Sequence, residues 1–223
     1  MNISRKGFLG LSTVLISSVL IPANAQALAL EAQGATWSEL PDGKVEINTS
    51  KGSWIVWTEN IQEYRIARCI DPDEVEYAIT YNRATGYIDS DFTGKTVYVG
   101  VDETYSGGLT PEPQADINIR IASQTSHSTK ISYKTLKDLV GGAVTIAGLA
   151  SAIATQIGIP VSNIVNILLG ITGVVALVSE GSPNHGLVIK YNEVVREHFV
   201  LIPPPPHWTY YDTQFVLMGI STY

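Results

Sequence analysis

Residues 139–179 read LVGGAVTIAGLASAIATQIGIPVSNIVNILLGITGVVALVS, 41 positions without a single Asp, Glu, Lys or Arg. Lys137 and Asp138 close the stretch on one side and Glu180 on the other. At its centre stands Gly158-Ile159-Pro160, where a glycine can end one helix and a proline can open the next. The stretch predicts an antiparallel hairpin of two helices of about 20 residues. Each would be roughly 30 Å long at ~1.5 Å per residue, which matches the hydrocarbon thickness of a bilayer. With its flanks the predicted hairpin occupies residues 134–180.

The faces of these helices can be read. In the first, Ile146, Leu149, Ile153 and Ile157 form a large apolar stripe, while Ala143, Ala147, Ser151 and Thr155 recur on a small one, with Gly148 beside it. Small residues at that spacing let another helix approach closely. In the second, opened by Pro160, the residues Asn163, Asn166, Gly170 and Gly173 share a face. Ile164, Ile167, Leu168, Ile171 and Val175 spread over the rest. The polar stripe predicts contact with the first helix or a polar lumen. A helix that is apolar nearly all round must be buried, in protein or in lipid.

Outward from the hairpin the texture changes to period two. Residues 44–47 (KVEI), 53–57 (SWIVW), 74–81 (EVEYAITY), 96–101 and 115–122 alternate or are β-branched, as strands with one buried face do. Residues 82–86 (NRATG) read as a hairpin loop whose glycine supplies the positive φ. After the apolar stretch, residues 187–202 and 208–220 return to strand texture. Between them Pro203 to Pro206 predicts a stiff polyproline crossing. Strands adjoin both ends of the hairpin, so it reads as an insertion between β segments of one domain. The expected fold class is α+β, an antiparallel β sheet or sandwich with an inserted apolar helical hairpin.

Residues 1–25 (MNISRKGFLGLSTVLISSVLIPANA) carry a basic start, an apolar run and Ala23-Asn24-Ala25, the plan of a secretory signal peptide cut before Gln26. The expected mature chain, residues 26–223, is secreted. The whole chain holds 14 Lys+Arg against 21 Asp+Glu, a formal charge of −7. Losing Arg5 and Lys6 would make it −9, from 12 basic and 21 acidic residues. An acidic chain without a basic run argues against nucleic-acid binding. Cys69 is the single cysteine, so neither an internal disulfide nor a thiolate zinc site is available.

Searching for chemistry singles out no catalytic residue. His127, His185, His198 and His207 form no close ligand pair, and residues 71–76 (DPDEVE) lack the spacing and turn glycine of a calcium loop. Nucleophile elbows, phosphate loops and dinucleotide fingerprints are missing, so no enzyme activity and no cofactor or metal is expected.

A signal peptide, β hairpins such as residues 77–88, the Gly/Ala/Ile-rich stretch at 139–179 and a closing aromatic segment with Trp208-Thr209-Tyr210-Tyr211 together resemble exported proteins of Gram-positive bacteria, among them the geobacillin-like large bacteriocins. The uncharged hairpin by itself resembles the membrane-inserting hairpin of pore-forming colicins. The resemblance implies a secreted, membrane-active, antibacterial protein. Its partner would be membrane lipid or a membrane receptor, and it would form a homo-oligomer on the membrane. The residues expected to enter the bilayer are Ala143, Ile146, Ala147, Gly148, Leu149, Ser151, Ile153, Pro160, Asn163, Asn166, Ile167, Gly170 and Gly173. Without charge, they avoid the main insertion penalty. A second reading stays open: an exported binding or cell-surface β protein whose hairpin is only a buried core.

Overall fold

A computed structural model describes residues 34–102, 118–141, 144–171, 173–199 and 209–223. Seven strands come first: β1 Thr36–Glu39, β2 Val45–Thr49, β3 Gly52–Ile61, β4 Tyr64–Ile70, β5 Glu76–Asn82, β6 Tyr87–Ser90 and β7 Lys95–Tyr98. Each pairs antiparallel with its sequence neighbour, so spatial order equals chain order. Period-two patterning sets the two faces of this meander. Val45, Ile47, Val56, Ala67, Cys69, Ile79 and Ile88 point inward and are almost fully buried. Arg68 on the outer face instead bonds Glu59 at 3.3 Å and Glu76 at 2.7 Å on the flanking strands.

The second sheet holds three longer strands, β8 Asn118–Ser132, β9 Gly186–Phe199 and β10 Thr209–Thr222, in the order β10-β9-β8 and again antiparallel. Its core end is apolar, with Ile131, Leu187 and Ile189 buried. Toward the other end of β8, residues 120–126 are all exposed.

Between the paired residues Ser132 and Gly186, the chain forms four helices: α1 Tyr133–Val140, α2 Ile146–Ile157, α3 Val161–Gly170 and α4 Val174–Glu180. They form the middle layer. α2 lies across β3, β4 and β5, α3 reaches β10, and α1 touches both sheets. The fold is therefore α+β with two antiparallel sheets. The sheets pack on the helices between them, where the sequence suggested a single sheet or a sheet-on-sheet sandwich.

The two expected helices of about 20 residues are four short ones. The break at 158–160 falls where the sequence put it: Gly158 caps α2 with φ +83° and Pro160 precedes α3. A second break comes at Gly173, whose φ of +74° turns the chain so that α3 and α4 meet at 92°. Left-handed backbone of this kind is cheap for glycine alone. A third separates α1 from α2, where Thr145 opens α2 by accepting the Gly148 N–H at 3.0 Å. Among the described residues no single helix is long and apolar enough to cross a membrane. The predicted leader (1–25), the Pro203–Pro206 crossing and residues 115–117 of the 115–122 strand lie outside the described residues, while 118–122 open β8.

Candidate functional site

The residues expected to insert into a bilayer do not form one surface. Ile146, Ala147, Gly148, Leu149, Ser151 and Ile153 are buried in α2, and Gly173 is buried at the start of α4. Pro160, Asn163, Asn166 and Gly170 face solvent, Ile167 is half-buried, and Ala143 lies outside the described residues. Asn163, Asn166 and Gly170 of the polar stripe thus meet water, and only Gly173, its fourth member, is buried. Amides hydrogen-bond water well enough to make a solvent face without charge. The C-terminal end of the small stripe of α2 meets the sheet: Thr155 Oγ1 reaches the Ile79 carbonyl of β5 at 3.4 Å. Ser151 and Thr155 also donate to the Ala147 and Ser151 carbonyls at 2.9 and 2.7 Å. These bonds satisfy hydroxyls buried to 0% exposure.

A cleft opens where the C-terminal end of α2 meets both sheets. Its volume is about 250 Å³, and its walls include Arg65, Tyr81, His127, Gln156, Tyr191 and Phe215. Arg65 organises it. On β4 this residue shares the inward parity of Ala67 and Cys69, so the guanidinium enters the core with 4% exposure. Nη1 donates to the Thr155 and Gln156 carbonyls at 3.2 and 3.0 Å, and Nη2 to Asp102 Oδ2 at 3.2 Å. α2 has no basic residue in its last turn, so Arg65 supplies from the sheet the positive charge that a helix C-terminus favours. Gly158 makes room for it, since a Cβ there would sit 2.6 Å from Arg65 Cζ.

Burial pushes the Arg65 guanidinium down from its ordinary value, and the Asp102 carboxylate beside it pulls back. Arg83 Nε reaches the same Asp102 oxygen at 2.9 Å, so one carboxylate serves two arginines. Tyr81 donates its hydroxyl to the Gly100 carbonyl at 2.7 Å, and its own titration is pushed up, first by burial and then by Asp102. The opposite wall is aromatic. His127 stacks on Tyr191 with centroids 5.3 Å apart, and Phe215 meets Tyr191 edge-on at 5.8 Å. His127 Nε2 lies 2.9 Å from Glu193 Oε2.

Gln156 supplies the last element. Its Oε1 is the one buried side-chain oxygen or nitrogen without a hydrogen-bond partner among the described residues. A buried acceptor left unpaired costs about 1–3 kcal/mol.

A second cavity, about 330 Å³, lies by Trp54, Asp71, Asp73 and Thr145. Its Asp71 is already engaged, accepting the Asp73 and Val75 N–H groups at 2.9 Å each. The acidic run is thus a closed loop between β4 and β5, and strand pairing begins only at Glu76. Cys69 is buried and its thiol is pushed up to about 12, chiefly by burial, so it is a core residue without nucleophilic character. Among the described residues no three His, Cys, Asp or Glu side chains stand together as a metal set.

No protein-family model, no curated protein and no solved structure matches this chain.

Sequence reasoning passed over Arg65, Gln156 and the cleft. The parity of Arg65 with Ala67 and Cys69 was a signal that this charge points inward. Its helix partners, 90 and 91 residues away, had none.

Proposed function

We propose that the chain is an exported binding protein without enzymatic activity. It takes a small polar ligand into the cleft between its sheets, and its apolar helices serve as a permanent core. The cleft itself carries this reading, a space of about 250 Å³ where Arg65, Asp102 and Gln156 stand opposite His127, Tyr191 and Phe215 of the second sheet. Concave sites where a few polar groups converge beside aromatic side chains are a usual form of ligand site. The buried state of α2 supports the second half: expelling it would uncover Leu149, Ala150, Ala152 and Ile153, all at 0% exposure, together with the inner face of the sheet. Two-dimensional NMR of the labelled protein against a library of small polar compounds tests the reading. Shifts should centre on His127, Gln156 and Tyr191; hits scattered over the surface would overturn it.

A specific observation favours a second reading, in which the helices leave the fold and enter a membrane in the manner of a bacteriocin. The solvent face of α3 is made of Asn163, Asn166 and Gly170, so even its exposed positions bring no ionised group into lipid. Because an acidic chain is repelled by anionic lipid, such entry would need a receptor or acidification. Dye release from anionic and zwitterionic liposomes, at neutral and mildly acidic pH, separates the two. The binding reading expects release at background, and release that depends on the helices would replace it.

A further inference from the structure

We infer that the cavity beside Trp54 is a second binding site, suited to a small apolar molecule with a cationic head. It goes beyond the reading of the cleft and does not depend on it. No residue lines both spaces, and they lie at opposite ends of α2.

The cavity sits where the β2–β3 turn, the loop between β4 and β5, the N-terminal end of α2 and the start of α4 come together. Its volume of about 330 Å³ falls within the ~300–1,000 Å³ usual for small-molecule sites. Val144, Ile146 and Val175 are buried and form its floor, and Trp54 and Pro72 complete an apolar wall. Protein interiors are close-packed, so a space this large among core side chains is uncommon. Where such a space is lined by apolar groups, water finds few hydrogen bonds in it and apolar molecules enter.

The polar groups around it are bonded within the protein. Thr145 Oγ1 accepts the Gly148 N–H at 3.0 Å and caps α2. Thr49 Oγ1 donates to the Gly52 carbonyl at 3.0 Å and accepts the Lys51 N–H at 3.2 Å. Asp71 Oδ1 accepts the Asp73 and Val75 N–H groups at 2.9 Å each, and Oδ2 accepts the Tyr77 hydroxyl at 3.4 Å. A ligand rich in hydroxyls or amides would give up its hydrogen bonds to water and regain few of them here. The body of the ligand is therefore apolar.

What the cavity still offers is charge. Asp71 and Asp73 bring two carboxylates to it, against the one ammonium of Lys51. Asp73 is exposed, and its carboxylate makes no hydrogen bond or ion pair among the described residues. Around them, residues 34–102 hold twice as many acidic as basic side chains. Such a field draws cations and repels anions. A cationic group at the mouth beside Asp73 keeps most of its hydration while the apolar body is buried, as a lysine does with its stem covered and its head in water. A volume near the lower end of the usual range admits one ring or a short chain, so the fit is an alkylammonium or arylalkylammonium of the size of phenethylamine.

The test titrates the purified protein at neutral pH with phenethylamine, 2-phenylethanol, 3-phenylpropionate and ethylammonium, followed by two-dimensional NMR. Phenethylamine should saturate the protein and shift the Trp54 indole N–H and the methyl groups of Val144, Ile146 and Val175. The alcohol should bind about threefold more weakly, the worth of one exposed charge pair, and neither phenylpropionate nor ethylammonium should saturate. Asp73→Asn should lower the affinity for phenethylamine about threefold and leave that for the alcohol unchanged. Val175→Phe, which puts a ring into the cavity, should abolish the binding of both. If that variant does not fold, Asp73→Asn decides alone, because its side chain holds nothing else in place. Equal binding of phenylpropionate at these residues, or an Asp73→Asn variant that binds the amine as well as the parent, overturns the cationic head. Ligands that leave Trp54 unmoved overturn the site, and shifts confined to His127 and Tyr191 overturn it too while leaving the cleft standing as a binding site.

Discussion

Two adjacent helices of this protein, α2 and α3, are built from the same uncharged vocabulary and live in opposite surroundings. In α2 every residue from Ile146 to Thr155 is buried, and only Gln156 touches the surface. In α3 just Val161, Ile164, Val165 and Leu168 are buried, at a helical spacing, while Asn163, Asn166 and Gly170 face water. The difference lies in two amides. It teaches that a solvent face does not need charge, and that an uncharged 41-residue stretch describes a protein's core as well as it describes a membrane span.

The comparison breaks first at its leucines. Leu149, at 0% exposure in α2, should cost about 3–5 kcal/mol when cut to Ala, as full core truncations do. The half-buried Leu169 of α3 should cost roughly half of that under the same change. Urea unfolding of the two variants measures both, and equal losses would erase the distinction between the helices.

Next in size is the buried arginine that α2 has and α3 lacks. Arg65→Met leaves the last carbonyls of α2 bare and removes one of the two arginines on Asp102, for a loss of about 3 kcal/mol by chemical denaturation. A variant as stable as the parent would mean that the guanidinium does not anchor the helix.

Charge enters the helical layer only at its borders, and pH probes one of them. Hydrogen bonds from Lys134 and Lys95 hold the Asp138 carboxyl of α1 below its ordinary 3.8. A depressed folded-state value means stability that is present above the ordinary carboxylate range and lost as pH falls through the lowered value. Asp138→Asn should therefore be less stable at neutral pH, by under ~1 kcal/mol for so accessible a cluster, and the gap should close below about pH 4. Tm measured across pH reads it, and a gap that persists in acid would place the effect elsewhere.

The smallest effect belongs to the open face of α3. A Cβ at Gly170 meets nothing within 4 Å, so Gly170→Lys should change stability by less than ~0.5 kcal/mol. It puts a charge into the uncharged stretch without disturbing the core. If the protein releases dye from liposomes and Gly170→Lys does not, the helices enter lipid; equal behaviour of the two proteins keeps them in the fold. A charge at Gly148 cannot serve, because that position is buried and even a Cβ would crowd Thr145 and Val140 at 3.3 Å.

Much of the scaffold was legible. Alternation placed β2, β3 and β5, the glycine of residues 82–86 closed the β5–β6 hairpin, and Gly158-Ile159-Pro160 broke the helices where the chain breaks them. The break at Gly173 was visible only as one glycine among several, because nothing local says that α4 must turn 92° from α3. Asn163 and Asn166 were read as an inward polar stripe, and the packing of α2 and α3 turned them outward.

The sequence by itself determined the β texture on both sides of the apolar layer, several of its strands, and where that layer lies in the chain, because side-chain alternation and backbone breaks are local and leave a periodic trace. Tertiary structure alone decided that the helices fill the space between two sheets, that Arg65 closes a helix 90 residues away, and that Gln156, His127, Tyr191 and Phe215 share one cleft. Those are contacts between distant elements. They follow from which faces can be buried together in three dimensions, a condition on the whole chain that no window of sequence carries.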